Sequence, residues 1–329
     1  MEGYFIGIDW GGTRIKIGAA RADGEFLHRE FLKVSPVAEF KSQVDDVIAV
    51  VRRCIHSLPG RPLGVALALT GAVNPEQGVV LLPGKIKDME GYPLVPQFRQ
   101  LLDLPVWAVN DGMAAMYAEK KFGRARDKKW AVTLTIGTGV GSGVMLDGRI
   151  LHDPHFMFSS QLGHIIIDGS QDQLCLTGVR GGTGEMLCSA TALALGVRSG
   201  LQRGIPSSLS DCYWKNPHAV DFKKIMEDGV AKADRLCVDE LARWTRKLSW
   251  LLINAIHAFS PQIVILGGGA TAAADAFLPE LRREVQSHIF RYPPGETVPI
   301  EISELGDRAG ILGAIAMVIE KMEFLPSKN

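Results

Sequence analysis

The chemistry legible in this sequence rests on three glycine-rich turns, a few carboxylates and amides, and one histidine. Asp9-Trp10-Gly11-Gly12-Thr13 and Gly137-Thr138-Gly139 each follow a run of β-like apolar residues. A glycine turn after a strand lets backbone N–H groups approach an anion without interference from Cβ, and an adjacent threonine hydroxyl adds a donor. Each turn is therefore either a phosphate cradle or an ordinary hairpin turn. Neither is a Walker loop, because no G-x-x-x-x-G-K-[ST] occurs, nor a Rossmann fingerprint, because the first turn runs from strand to strand. Asp9 closes a strand just before its turn. There a carboxylate either holds magnesium against phosphates, directly or through water, or caps the turn. Asp111, in the pair Asn110-Asp111, opens a predicted helix, and it is either the helix cap or a general base beside a substrate hydroxyl at a strand's C-terminal end. Gln161-Leu162-Gly163-His164 leads on to Cys175 and Glu185. His164 precedes three isoleucines, so it reads equally as a satisfied core histidine. His164, Cys175 and Cys188 are three possible zinc ligands at irregular spacing. A closed structural site takes four, so no zinc is expected.

These residues need elements to hold them. Apolar alternation at Ile6 and Ile8 resumes at Ile15 and Ile17, a strand, a tight turn and a second strand. Ala131 to Ile136, the glycine turn and Val144 to Leu146 repeat the design and run to an Asp147-Gly148 turn. Two such hairpins suggest two similar halves. Gly267 to Gly269 follow the apolar run Ile263 to Leu266 and lead into the alanine-rich segment Ala270 to Ala276, a strand passing through a turn into a helix. Pro105 to Val109 reads as a strand, and Met113 to Phe122 as a helix closed by Gly123 at its C′ position. Leu241, Trp244, Leu248, Leu251, Ala255 and Phe259 mark one face of a long helix that Pro261 stops. Gly310 to Glu320 reads as a closing helix.

With 329 residues the chain is long enough for about two domains at roughly 150 residues each. Its 36 basic and 36 acidic residues cancel, which speaks against nucleic acid or a membrane surface as partner. Five irregularly spaced cysteines point to the reducing cytoplasm. The most apolar long stretch, Ser249 to Ala270, is interrupted by Asn254, His257, Pro261 and Gln262 and falls short of a membrane span. Alternating strands and helices with a hairpin at the front of each half predict an α/β protein of two lobes.

Taken in order, Asp9-x-Gly-Gly-Thr13, Thr70-Gly71, Asn110-Asp111, Gly137-Thr138-Gly139-Val140-Gly141, Gly163-His164, Glu185, Gly267-Gly268-Gly269 and Gly310-x-x-Gly313-Ala314 resemble the ROK family of the actin-like ATPase superfamily. The resemblance implies two lobes of ribonuclease H-like fold with an interlobe cleft: residues 1–111, joined by the C-terminal helix 310–323, and residues 112–309. It implies an ATP-dependent, glucokinase-like hexose kinase acting at a primary hydroxyl, with N-acylhexosamines or fructose as other acceptors, working as a homodimer. In that reading Asp111 is the catalytic base. Gly71, Asn110, Gln161, His164 and Glu185 bind the sugar. Asp9, Gly11, Gly12, Thr13, Gly137, Thr138 and Gly139 hold phosphates and magnesium, and Gly267, Gly268 and Gly269 line the adenosine pocket. Two departures from the family pattern stand out. Gln161 occupies the place of a usual Glu, and the usual zinc module keeps only Cys175 and Glu185, with Thr177 and Thr183 near other cysteine positions. They leave open a second function, a sugar-sensing regulator that keeps the fold without the reaction.

Overall fold

The computed structural model describes residues 3–35, 39–74, 77–82, 88–152, 160–171, 181–291, 293 and 295–323. By internal contacts the chain divides into two units, one of residues 1–129, 143–160 and 303–329, the other of residues 130–142 and 161–302.

The first unit is built on strands β1 (Gly3–Trp10), β2 (Arg14–Ala20), β3 (Phe26–Lys33), β4 (Arg61–Leu69) and, after a small ribbon of β5 (Ala72–Asn74) and β6 (Val79–Leu82), β7 (Val106–Asn110). The sheet order is β3-β2-β1-β4-β7. The first three strands form an antiparallel meander, and β1, β4 and β7 run parallel. Period-two alternation along β1 buries Tyr4, Ile6, Ile8 and Trp10 against helix α1 (Phe40–Ser57) and its neighbours. Phe5 faces the other layer, formed by helix α3 (Asp111–Phe122), which follows α2 (Leu94–Leu102), and by the C-terminal helix Ala309–Glu323. That last helix is buried continuously from Ile311 to Ile319, so it is apolar on every side. Its Gly313 lies where a Cβ would enter the backbone of Ala114 in α3, so the two helices pack at close range.

The second sheet has the order β10-β9-β8-β11-β12, with β8 (Ala131–Ile136), β9 (Val140–Leu146), β10 (Arg149–Ile150), β11 (Ile263–Gly267) and β12 (Ile300–Ile302). The division between units passes through β9. Strands β8, β11 and β12 are parallel, as are β1, β4 and β7, so the two sheets repeat one strand order. The expected hairpins are present. Asp147 and Gly148 both take positive φ, 49° and 73°, as a tight β9–β10 turn requires. The long helix spans Arg235–Phe259, capped by Asp234, and ends with Ser260 left-handed just before Pro261. Among the described residues no helix is long and apolar enough to cross a membrane.

Two expectations are corrected. Gly123 closes α3 with φ −114°, not in a left-handed turn. The residue is small because the Glu119 carboxylate fills the space of its missing Cβ while accepting from Arg124 N at 2.8 Å. The alanine-rich segment after Gly268 is a 3-10 helix, Gly269–Ala276, kinked at Ala273, and the α-helix begins only at Leu278.

Candidate active site

In the first unit the site residues collect along one edge. The parallel register pairs Trp10 with Leu69 and Leu69 with Asn110, so Asp9, Thr70-Gly71 and Asn110-Asp111 all stand at the C-terminal ends of adjacent strands. This is where open α/β sheets bind ligands. Asn110 is 8% exposed and serves as the α3 cap, its Oδ1 accepting from Gly112 N at 2.9 Å and Met113 N at 3.3 Å. Its Nδ2 donates to the Gly71 carbonyl at 2.8 Å, tying the β4 turn to the β7 turn. Asp111 is therefore the first helical residue and not the cap. Its Oδ1 accepts from the N–H of Gly112 at 2.8 Å. The Thr70 hydroxyl, one residue past the end of β4, is buried with no hydrogen-bond partner among the described residues.

Alternation puts Asp9 on the same face as Phe5, toward the start of the C-terminal helix. Gly310 lacks a Cβ there because the Asp9 carboxylate occupies its place. Burial pushes the Asp9 carboxyl above the usual carboxylate range, and Lys16 pulls it back. Lys16 Nζ lies 3.4 Å from Asp9 Oδ2 and 3.5 Å from Asp307 Oδ1. Sequence reading missed Lys16. The signal was in the hairpin: a turn of Gly11 to Arg14 closed by Gly11 N to Arg14 O at 3.0 Å pairs Asp9 with Lys16 across the ladder. Lys16 is therefore the counter-ion of Asp9 in this structure. Gly11, Gly12 and Thr13 form the turn between β1 and β2, with Thr13 exposed.

In the second unit two glycine turns stand side by side, because β8 and β11 are paired parallel and Gly267 lies opposite Thr135. Gly268 has φ +87° and ψ 173°, and its missing Cβ would stand 2.5 Å from Ile136 O. Only glycine fits both demands. In front of Gly137 and Gly269 nothing among the described residues lies within 4 Å of a Cβ position, so both backbones are approachable, as a nucleotide requires. Thr138 is exposed at the hairpin tip. Gln161 precedes the 3-10 turn Leu162–His164, which His164 N closes on Gln161 O at 3.0 Å. His164 is half-buried. Glu185 lies in the short helix Gly184–Cys188, whose cap is Thr183, accepting from Met186 N at 3.4 Å. Cys188 is fully buried, which pushes its thiol up. Cys175 and Thr177 lie outside the described residues, and among those described no group of three or more His, Cys, Asp and Glu is placed to hold a metal.

The first unit offers a carboxylate at a helix start and a second carboxylate facing a cation, and the second unit offers two glycine turns. A model of the ROK family matches residues 5–321. The chain belongs to the ROK family. It is 30% identical over 319 residues to a glucokinase of Thermotoga maritima, covering 96% of this chain and 98% of that one. It is 27% identical over 327 residues to a xylose repressor of Caldicellulosiruptor bescii, covering 98% of this chain and 80% of that one. The crystal structure of a ROK glucokinase from Streptomyces griseus in complex with glucose and AMPPNP matches with a TM-score of 0.81 at 24% identity, over 95% of this chain and 98% of that one. The fold is accordingly the α/β fold of the actin-like ATPases, as its resemblance to ROK proteins implied.

Proposed function

We propose that this ROK protein transfers the γ-phosphoryl group of ATP to the primary hydroxyl of a hexose, with glucose the first acceptor to try and N-acylhexosamines and fructose next. The reading is carried by the alignment of Asp9, Gly71 and Asp111 along the C-terminal edge of β1, β4 and β7. Because Asn110 caps α3, Asp111 is released from that duty and acts as the base. It takes the proton of the acceptor hydroxyl as that oxygen bonds to the γ-phosphorus. The bond from phosphorus to the bridging oxygen breaks, and ADP leaves. Such transfer depends mainly on positioning and on charge stabilisation, and a placed base adds about 10²–10⁴-fold.

Gly71, Asn110, Gln161, His164 and Glu185 bind the other hydroxyls of the sugar. Asp9 holds magnesium, directly or through water, and the Gly11, Gly12, Thr13 turn lies against phosphate. Magnesium, when bound, offsets the phosphate charge. Gly137, Thr138 and Gly139 hold phosphate oxygens through backbone N–H groups, and Gly267, Gly268 and Gly269 line the adenosine pocket. The test is an ADP-release assay over a panel of hexoses and N-acylhexosamines, with the sugar product identified. One acceptor should give stoichiometric ADP and sugar phosphate. A sugar that binds by calorimetry yet is never phosphorylated would refute the kinase reading and favour a sensor, the role suggested by the xylose repressor among the relatives.

A further inference from the structure

The segment that follows Glu185 grips the Gly137–Val140 turn at successive points. Glu185 Oε2 accepts from Val140 N at 3.1 Å, and position 139 is glycine because a Cβ there would enter that carboxylate. Ala190 N donates to the Gly137 carbonyl at 2.9 Å. Thr191 Oγ1 donates to the Thr138 carbonyl at 2.8 Å. Among the described residues no acceptor meets the N–H groups of Thr138 and Gly139.

These facts are linked by the planarity of the peptide bond. A trans peptide points its N–H opposite to its C=O, so holding one aims the other. The carbonyls of Gly137 and Thr138 belong to the same two peptides as the unpartnered N–H groups of Thr138 and Gly139. Ala190 and Thr191 hold the rear of each peptide and turn its donor outward. The gripping segment is itself fixed from behind. Ser189 caps the helix Ala190–Gln202 by accepting from Ala192 N at 3.1 Å, and its carbonyl takes the indole N–H of Trp244 at 2.9 Å. Trp244 is 3% exposed and meets Phe277 edge-on at 5.2 Å, just where the segment that begins at Gly269 ends. One buried indole thus braces the exits from both glycine turns.

We propose that Thr191 is a positioning residue for the nucleotide: its hydroxyl, by holding the Thr138 carbonyl, aims the Gly139 N–H at a phosphate oxygen. This rests on the ATP reading above. The side chain touches no substrate in this role, and because the Ala190 bond comes from backbone, Thr191 is the point where the grip is accessible to mutation. The test compares wild type with Thr191→Val, which keeps the shape and loses the hydroxyl, and Thr191→Ser, which keeps the hydroxyl. AMP-PNP with magnesium is titrated calorimetrically, the sugar KM and kcat are measured at saturating ATP, and melting curves check folding. Thr191→Val should weaken AMP-PNP by roughly three- to tenfold, the worth of one neutral hydrogen bond, with the sugar KM at saturating ATP unchanged. Thr191→Ser should bind within about twofold of wild type. Unaltered AMP-PNP affinity in Thr191→Val, or equal loss in Thr191→Ser, would overturn the inference while leaving the kinase reading intact. Wild-type protein that binds no AMP-PNP would overturn both.

Discussion

Replacing Gly268 by alanine tests whether the second glycine turn is demanded by the fold, and Gly269→Ala tests whether it is demanded by the nucleotide. At Gly268, φ +87° and ψ 173° lie in a region closed to L-residues, and occupying it costs about 1–3 kcal/mol. The added methyl would stand 2.5, 2.7 and 2.8 Å from the O, N and C of Ile136, all of them backbone of the central strand β8, next to a side chain with no exposure. Backbone in a ladder does not yield as a flexible side chain would, and overpacking of this kind costs about 1–3 kcal/mol more. The sum, about 2–6 kcal/mol, lowers the melting temperature by roughly 5–20 °C at about 2–4 °C per kcal/mol. Gly269 has no positive φ and nothing within 4 Å among the described residues, so alanine there should leave melting unchanged or slightly raised. It should nevertheless weaken AMP-PNP, because the methyl projects into the space assigned to the nucleotide. Differential scanning calorimetry and titration calorimetry on both variants supply the readouts. A Gly268→Ala protein melting within about 2 °C of wild type would refute the steric reasoning, and unchanged AMP-PNP affinity in Gly269→Ala would remove this turn from the nucleotide pocket.

Four more outcomes are expected. Asp111→Asn should lower turnover about 10²-fold or more with melting nearly unchanged, since Asn110 and not Asp111 caps α3; wild-type turnover would exclude Asp111 as the base. Gln161→Glu should reorder the sugars by kcat/KM by around tenfold, because hydrogen bonds to charged groups contribute about 1.5–3 kcal/mol against 0.5–1.5 for neutral ones; an unchanged order with every value within about twofold would exclude it as a sugar ligand. Trp244→Phe should cost about 1–3 kcal/mol in denaturant unfolding, because the buried carbonyl of Ser189 loses its donor; an unchanged midpoint would refute that bond's importance. Because burial raises the Asp9 carboxyl above its unfolded value, the native state keeps this proton longer, and its ionisation weakens the fold as pH rises between the two values. Asp9→Asn should therefore lose less stability than wild type as pH climbs out of the ordinary carboxylate range, and parallel melting profiles would show that Lys16 cancels the burial effect.

Much of this protein follows from short-range pattern. Alternation with period two placed β1, β2 and β8, because one strand face must be buried whatever packs on it. Asp147-Gly148 and Pro261 marked a turn and a helix end, because backbone sterics act within a few residues. The ordered motif set also carried the family resemblance. What pattern could not supply was anything depending on residues far apart in the chain. Strand order, and with it the alignment of Asp9, Gly71 and Asp111 on one edge, arises from pairing across more than forty residues. The division of labour between Asn110 and Asp111 was hidden because both are good caps, and only the approach of the Gly71 carbonyl to the Asn110 amide separates them. In the sequence Gly123 reads as a helix end, Gly139 as a turn residue and Gly310 as the start of a helix, yet each is small because a carboxylate, from Glu119, Glu185 or Asp9, fills the place of its Cβ. Sequence alone determined β1, β2, β8, the Asp147-Gly148 turn and the long helix ending before Pro261, since propensity and burial pattern are local. Tertiary structure alone decided which side chain stands against which backbone atom, since close packing joins residues that the chain keeps far apart.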